Sequence, residues 1–373
     1  MTKVLHVIVD TDVGGAELML RRLILHPKSS SEISHTVVSL TSIGAIGKEL
    51  LNNGVDVVGL GANSWCSKLT LIFLLVKEIT QRKPDVVHTW MYHSDLLGGL
   101  AAKICRIQKI IWCVRSSDIT KGTSNLTILI RRMCASLSKS IPDTIIFAAN
   151  VSKDVHISLG YNKEKSIVIS NGFMCSLDKG DLFNRDSARS HIGISKDEIC
   201  IISVARFNRV KDQYTFIRMA SILLKSHNNL IFLMVGRGNT EKNKELVDAL
   251  EQHEIKEKFL LVGEVNNPSY YLKASDIFCL HSVTEGFPNS LGEAMLNGLP
   301  CVTTNVGDAA YMLDNLNYVV PHSNDNALAS AVGNLAKMSI TERSRIGAMN
   351  RQRIVENFSM ITAVEKYLNV YKS

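Results

Sequence analysis

The fold class this sequence predicts is α/β, built as two doubly wound parallel-sheet domains in tandem. Three observations carry that expectation. Short apolar runs of strand length alternate with helix-length amphipathic stretches from about residue 4 to residue 320. The alternation lapses once, in a polar stretch around 171–195, and then restarts. A length of 373 residues is also too great for one ordinary core and suits two domains of about 150–200 residues. Strands alternating with helices call for a parallel sheet covered on both faces. The expected domains are residues 1–170 and 171–358, with a last helix over 359–373 packing back on the first. Two such domains facing each other hold a ligand in the cleft outside the carboxyl ends of their strands.

In chain order, residues 4–9 read as the first strand, followed by a helix from Ala16. Strands over 36–40 and 55–60 flank a helix over 47–53, and a helix over 69–81 leads into a strand over 85–88. A helix over 96–105, a strand over 110–114, a helix near 126–138 and a strand over 144–147 complete the first domain. The second opens with a strand over 199–204 and a helix over 212–225. Strands follow over 230–235, 259–262, 277–280, 301–303 and 318–320, with helices near 242–253 and after Ser290.

Hydrophobic content of 46% and charged content of 21% place the chain among globular proteins rather than disordered or membrane-spanning ones. The longest apolar run, near 69–76, is far short of the ~20 residues a membrane span needs. Residues 1–10 read as a strand ending in acid rather than as a secretory signal. The eight cysteines show no CxxC spacing and several lie in apolar runs, so they read as reduced core residues of a cytoplasmic protein. Charge is uneven: residues 1–170 hold 20 Lys+Arg against 13 Asp+Glu, and residues 171–373 hold 22 against 22. The basic first half suits an anionic partner, such as the inner face of the plasma membrane contacted peripherally or a lipid-diphosphate acceptor. The alternative is a solubilising surface. Nucleic acid is not among the expected partners.

Chemistry concentrates in the second half. Glu285 and Glu293 stand eight residues apart, separated by Gly286, Phe287, Pro288, Asn289 and Ser290 and then a helix-forming run. On one helix the two would lie about 80° apart, a poor way to address one ligand. Gly286 and Pro288 predict a loop instead, with Asn289 or Ser290 as N-cap. Glu285 then lies on the loop and Glu293 about one turn into the helix, flanking backbone N–H groups suited to phosphate oxygens. Upstream, Arg206 and Lys211 follow the strand over 199–204 and precede a helix. Arg206 can hold two oxygens at once and Lys211 adds a point charge. Carboxylates for sugar hydroxyls beside amides and cations for a diphosphate outline a sugar-nucleotide site.

With both elements in hand, the chain resembles the retaining glycosyltransferases of family 4, which have the GT-B fold. Their E-x7-E signature matches Glu285 and Glu293. Tyr271-Leu272-Lys273-Ala274-Ser275-Asp276-Ile277-Phe278 resembles the run before it, and residues 204–212 resemble "GRLxxxKG". Val235-Gly236-Arg237-Gly238 matches "VGxG", Gly14-Gly15-Ala16-Glu17 the glycine-rich first turn, and Val168-Ile169-Ser170-Asn171-Gly172 "VIxNG" at the domain junction. The ordered set is specific where each member is weak. The resemblance implies two Rossmann-like domains facing across a cleft, and transfer of a sugar from a nucleoside diphosphate donor with retained anomeric configuration. It implies Glu293 on the ribose, Glu285 on the donor sugar with the amides of Phe287, Pro288, Asn289 and Ser290 nearby, and Arg206 and Lys211 on the leaving diphosphate. Gly14, Gly15 and Gly236 would admit close backbone approach. No metal or other cofactor is implied. The acceptor class is a saccharide or lipid-linked saccharide, as in assembly of bacterial surface polysaccharides.

The chain departs from the family where many relatives carry a histidine after a first-domain strand. Arg115 stands in that stretch, with His93 on a neighbouring loop as the other candidate and Asp118 near the acceptor side or capping a helix. Asp10 and Asp12 form a DxD, but almost nothing precedes them, so they read as the end of the first strand rather than a metal site. Gly236-Arg237-Gly238 lacks the third glycine of a dinucleotide fingerprint, Glu241 standing there. The rival readings are a GT-B-fold nucleotide-sugar epimerase and a non-catalytic sugar-nucleotide binder.

Overall fold

The computed structural model describes residues 1–61, 68–116, 124–175 and 185–373 and divides into two compact units. The first comprises Met1–Gly172 with Met360–Ser373, the second Phe173–Ser359. The divisions fall two residues beyond 170 and one beyond 358. Gly172 stays with the first unit, where its carbonyl accepts from Arg22 Nη1 at 3.3 Å. Phe173 belongs to the second, donating its amide to Phe358 O at 2.9 Å.

The first unit runs β1 (Thr2–Ile8), α1 (Gly15–Leu25), α2 (Pro27–Glu32), β2 (Ile33–Ser39), α3 (Ala45–Asn52), β3 (Asp56–Gly59) and α4 (Lys68–Arg82). It continues with β4 (Val86–Trp90), α5 (Tyr92–Ile104), β5 (Lys109–Val114), α6 (Asn125–Leu137), β6 (Thr144–Phe147), α7 (Asn150–Ser158) and β7 (Ser166–Val168). Its seven strands are parallel in the order β3-β2-β1-β4-β5-β6-β7. The central strands are buried along nearly their whole length, as both faces of a parallel sheet must be. Order reverses between β1 and β4, whose ends lead to Gly14 and to Met91.

The second unit runs α8 (Arg185–Ile192), β8 (Ile199–Val204), α9 (Gln213–Leu224), β9 (Leu230–Val235), α10 (Lys244–Gln252), β10 (Phe259–Gly263), α11 (Ser269–Ala274) and β11 (Ile277–Leu280). Then come α12 (Asn289–Leu296), β12 (Cys301–Thr304), α13 (Ala309–Leu313), β13 (Val319–Val320), α14 (Asp325–Lys337) and α15 (Ile340–Asn357). Six parallel strands lie in the order β10-β9-β8-β11-β12-β13, with the reversal between β8 and β11. The long α15 begins with a capping box in which Ser339 and Glu342 satisfy each other's backbone amides. At the opposite end of the strands, half-buried Asp276 takes Arg189 at 3.0 Å and the amide of Cys200 at 2.9 Å, tying α8 to β8.

The last helix, α16 (Met360–Lys372), belongs to the first unit. Met360, Ala363, Val364, Tyr367 and Tyr371 recur at helical spacing and join the core formed by Val4, Ile8, Leu20 and Trp90. Beneath it runs an ordered chain of side chains. Trp90 Nε1–H donates to His6 Nδ1 at 3.2 Å, His6 Nε2 meets His35 Nδ1 at 3.0 Å, and His35 Nε2 meets Ser29 Oγ at 2.9 Å. Indole N–H can only donate, so each imidazole in turn accepts at Nδ1 and donates from Nε2. Among the described residues, no helix is long and apolar enough to cross a membrane, and seven cysteines are free, five of them buried.

Candidate active site

Ligands of open α/β sheets sit outside the strand carboxyl ends where strand order reverses. In the second unit that place is bounded by the loops after β8 and β11 and by the start of α12. All the sequence-predicted residues of this half lie on those loops, on α12 or just after β9. The loop after β8 is braced from below: Ala205 N donates to Val235 O at 2.9 Å and Phe207 N to Arg237 O at 2.7 Å. Gln213 Nε2 and Asn239 Nδ2, both buried, hold the carbonyls of Arg206 and Ala205 at 2.8 and 2.7 Å. Arg206 itself is exposed.

Gly236 has φ +131°, and a Cβ there would stand 2.3 Å from Ala205 O, so only glycine lets the loops after β9 and β8 approach this closely. That is a packing reason, distinct from access for a ligand.

Lys211 ends the β8 loop, one residue before Asp212, the left-handed N-cap of α9. Its ammonium lies 2.5 Å from Glu285 Oε1, which also accepts from Ser282 Oγ at 2.7 Å. Both side chains are largely shielded, 22% and 11% exposed, so the pair is stronger than a surface ion pair. The two strand-end loops are stitched by Val283 N to Val210 O at 2.9 Å. A further brace comes from His281, fully buried, between Ser203 Oγ and Lys211 O, each at 2.6 Å. Burial lowers the His281 pKa to about 4, so it is neutral at physiological pH.

The helix after the glutamate loop starts earlier than expected. Pro288, not Asn289 or Ser290, is the N-cap of α12, and no side chain caps it. Pro288 at φ −75° delivers the chain directly into helical geometry, so Asn289 and Ser290 become its first turn. Glu293 is the fifth residue of α12, half-buried. Phe287 is an anchor: it is buried and stacks on Phe173 with ring centroids 6.1 Å apart. The first-turn N–H groups of such a helix have no intrahelical acceptor. The second unit thus brings a lysine–carboxylate pair, an exposed arginine and a helix start together at one strand-end face.

In the first unit, Gly14 is the N-cap of α1 and Gly15 its first residue, one position earlier than expected. A Cβ on Gly15 would meet nothing within 4 Å, whereas one on Gly14 would meet Glu17 Oε2 at 2.3 Å. Burial raises the pKa of Glu17. His93 lies in the first turn of α5 rather than on a loop, after Met91 at φ 72°. Met91's strained turn starts the helix at Tyr92. Asp95 stands in the first turn of α5. It is fully buried, accepts Thr89 Oγ1 at 2.5 Å, and pins α5 to the sheet, with its pKa raised by burial.

Arg115 follows β5, lies 5.6 Å from the Trp90 ring centroid and donates from Nη1 to Tyr367 Oη at 3.2 Å. Its Nη2 is buried without a hydrogen-bond partner among the described residues. Asp118 lies outside the described residues. Asp12 braces the next loop, accepting from Ala45 N at 3.3 Å.

Sequence reasoning missed His281, Ser203, Ser282, Gln213 and Asn239, the layer that holds the charged residues in place. No spacing motif signals them: His281, Ser203 and Asn239 meet partners across strand crossovers, and Ser282 and Gln213 brace single irregular loops.

Two family models match the chain, one described as Glycosyltransferase Family 4 over residues 13–176 and one as Glycosyl transferases group 1 over residues 184–353. The Escherichia coli enzyme named UDP-Gal:alpha-D-GlcNAc-diphosphoundecaprenol alpha-1,3-galactosyltransferase is 26% identical over 314 residues, 80% of this chain and 77% of its own. The Staphylococcus aureus capsular polysaccharide biosynthesis glycosyltransferase CapH is 25% identical over 308 residues, 82% of each chain. Among solved structures, Anabaena HepE in complex with UDP has a TM-score of 0.85 at 18% identity, covering all of both chains, a likeness of fold. With two parallel-sheet α/β units and these two matches in succession, the chain belongs to the family-4-type glycosyltransferases, enzymes of the GT-B fold.

Proposed function

We propose that this glycosyltransferase moves a hexose or N-acetylhexosamine from a UDP-sugar to a saccharide or lipid-linked saccharide in bacterial surface polysaccharide assembly, with retained anomeric configuration. The observation that carries the reading is the shielded Lys211–Glu285 pair at the strand-end face of the second unit. In the free protein each group neutralises the other. A bound donor substitutes for both, its diphosphate taking Lys211 and its sugar hydroxyls taking Glu285. Charge builds on the diphosphate as the glycosidic bond breaks, so cations fixed beforehand stabilise the transition state without reorganisation.

Arg206 joins Lys211 on the diphosphate, and Glu293 takes the ribose. Asn289 and Ser290 present the first-turn amides, with Phe287 and Pro288 setting their position. On the first unit, Gly14, Gly15, His93 and Arg115 are the groups offered to the phosphates or the acceptor. Glu285, engaged by the donor sugar's hydroxyls and by Ser282 Oγ, positions the donor rather than acting as acid or base. The residues supply this charge stabilisation themselves, and the reaction is proposed to run without a metal. The UDP preference is supported by HepE, whose structures hold UDP, glucose and UDP-glucose. The acceptor class is supported by the E. coli relative, which is named for a diphosphoundecaprenol-linked sugar.

The test is a panel of nucleotide sugars and saccharide acceptors read by mass spectrometry, with and without EDTA, and the anomeric configuration of the product read by NMR. Lys211→Ala and Glu285→Ala are each expected to lose about 10²-fold or more in kcat/KM. Full activity in either variant sinks the site assignment, activity abolished by EDTA sinks the metal-free reading, and an inverted product sinks retention.

A further inference from the structure

We infer that His281 is a positioning residue of the donor site, fixing Lys211 through its main chain. The inference rests on the reading of Lys211 as a diphosphate ligand. Lys211 O can only accept, so His281 carries its proton on Nδ1 and donates it there across 2.6 Å. Nε2 is then an acceptor, and Ser203 O–H, 2.6 Å away, donates to it. The ring is fully buried and lies against Phe216 with centroids 4.9 Å apart, so its orientation is set by packing as well as by both hydrogen bonds.

The position of this brace gives it consequence. Lys211 sits where the β8 loop turns into α9, through the left-handed Asp212, so its carbonyl lies outside the helical ladder. The Lys211 amide closes a turn on Asn208 O at 2.8 Å. His281 holds the opposite side of the same residue, and the side chain between them is directed to Glu285. Three parts of the sheet therefore converge on one lysine: Ser203 at the end of β8, His281 just after β11, and Glu285 five residues past that strand. The backbone tie from Val283 to Val210 would survive the loss of His281, so the loop is expected to stay in place while Lys211 loosens.

The experiment is a double-mutant cycle between positions 281 and 211, read in nucleotide affinity by calorimetry on the full chain. UDP, ADP and GDP are titrated in turn and the tightest binder serves as probe. Thermal unfolding confirms that each variant is folded. His281→Leu keeps the packing on Phe216 and removes both hydrogen bonds. It is expected to weaken the probe about tenfold, as a lost charge-assisted contact does. His281→Asn, whose amide N–H can reach the same carbonyl, is expected to restore affinity to within about threefold. In the Lys211→Ala background, His281→Leu should cost almost nothing more, because the group it positions is gone.

A purely structural histidine would give equal losses in both backgrounds, and that result overturns the proposal while leaving the donor-site reading intact. Unchanged affinity in a folded His281→Leu does the same. Wild-type affinity in Lys211→Ala, or no binding of any probe by the wild type, removes the donor-site assignment and the proposal with it.

Discussion

Gly307 shows how single residues set this site. Its φ is +53°, and an added Cβ would lie 2.3 Å from Gly286 O and 2.6 Å from Glu285 O, both backbone atoms that cannot swing away. Asp308 N reaches the same Gly286 carbonyl at 2.8 Å. Gly307→Ala must therefore shift the loop carrying Glu285, besides costing about 1–3 kcal/mol of stability in a left-handed conformation. We expect a folded variant with a lowered melting temperature and weakened nucleotide-sugar binding. Unchanged binding would mean that the placement of the Glu285 loop does not matter to the donor. Glu285, Glu293 and Lys211 were legible because each belongs to a short motif with fixed spacing. Gly307 was not, because its constraint comes from a loop about twenty residues away that only the sheet brings near.

At the scale of elements, the ordered chain from Trp90 through His6 and His35 to Ser29 ties β4, β1, β2 and α2 together. Each imidazole uses one nitrogen to accept and one to donate, so an added proton sets two donors face to face. Burial lowers the pKa of His6 and holds that of His35 at about 4, well below the ordinary value near 6.5. Between about pH 6.5 and 4 the unfolded chain binds more protons than the folded one, so stability is full above that window and falls as pH drops through it. For His35 the loss approaches about 3 kcal/mol. Melting temperature measured from pH 7.5 to 4.5 should decline, and His35→Asn should decline less steeply. A variant with the wild-type slope would refute this account. The remaining slope includes His6, His26, His88, His156 and His281, whose pKa values burial also lowers. Helix ends were less legible than strands: α5 begins at Tyr92 rather than at 96, and α12 at Asn289 rather than after it. In both, a backbone constraint at the preceding residue, Met91 or Pro288, decided the start.

At the scale of the whole molecule, charge follows the division into units. The first unit holds 22 Lys+Arg against 14 Asp+Glu and the second 20 against 21. We expect the intact protein to bind phosphatidylglycerol vesicles at low salt and to release them as salt screens the contact. Equal binding to phosphatidylcholine vesicles, or none to either, would leave the positive excess of the first unit without a membrane role. Assignment of α16 to the first unit also belongs to this scale. Its stripe of Val364, Tyr367 and Tyr371 is visible in the sequence, but the strand it covers lies more than three hundred residues earlier.

By itself the sequence determined the two α/β units, the family, and the charged residues at the strand ends of the second unit, because hydrophobic period and motif spacing are local properties of the chain. The tertiary structure alone decided that Lys211 is paired with Glu285, that His281 and Gly307 hold that pair's surroundings, and that His6 and His35 share one ordered chain of hydrogen bonds. Those facts depend on which strands lie side by side, and parallel strands are joined by crossovers long enough to separate the partners by tens of residues.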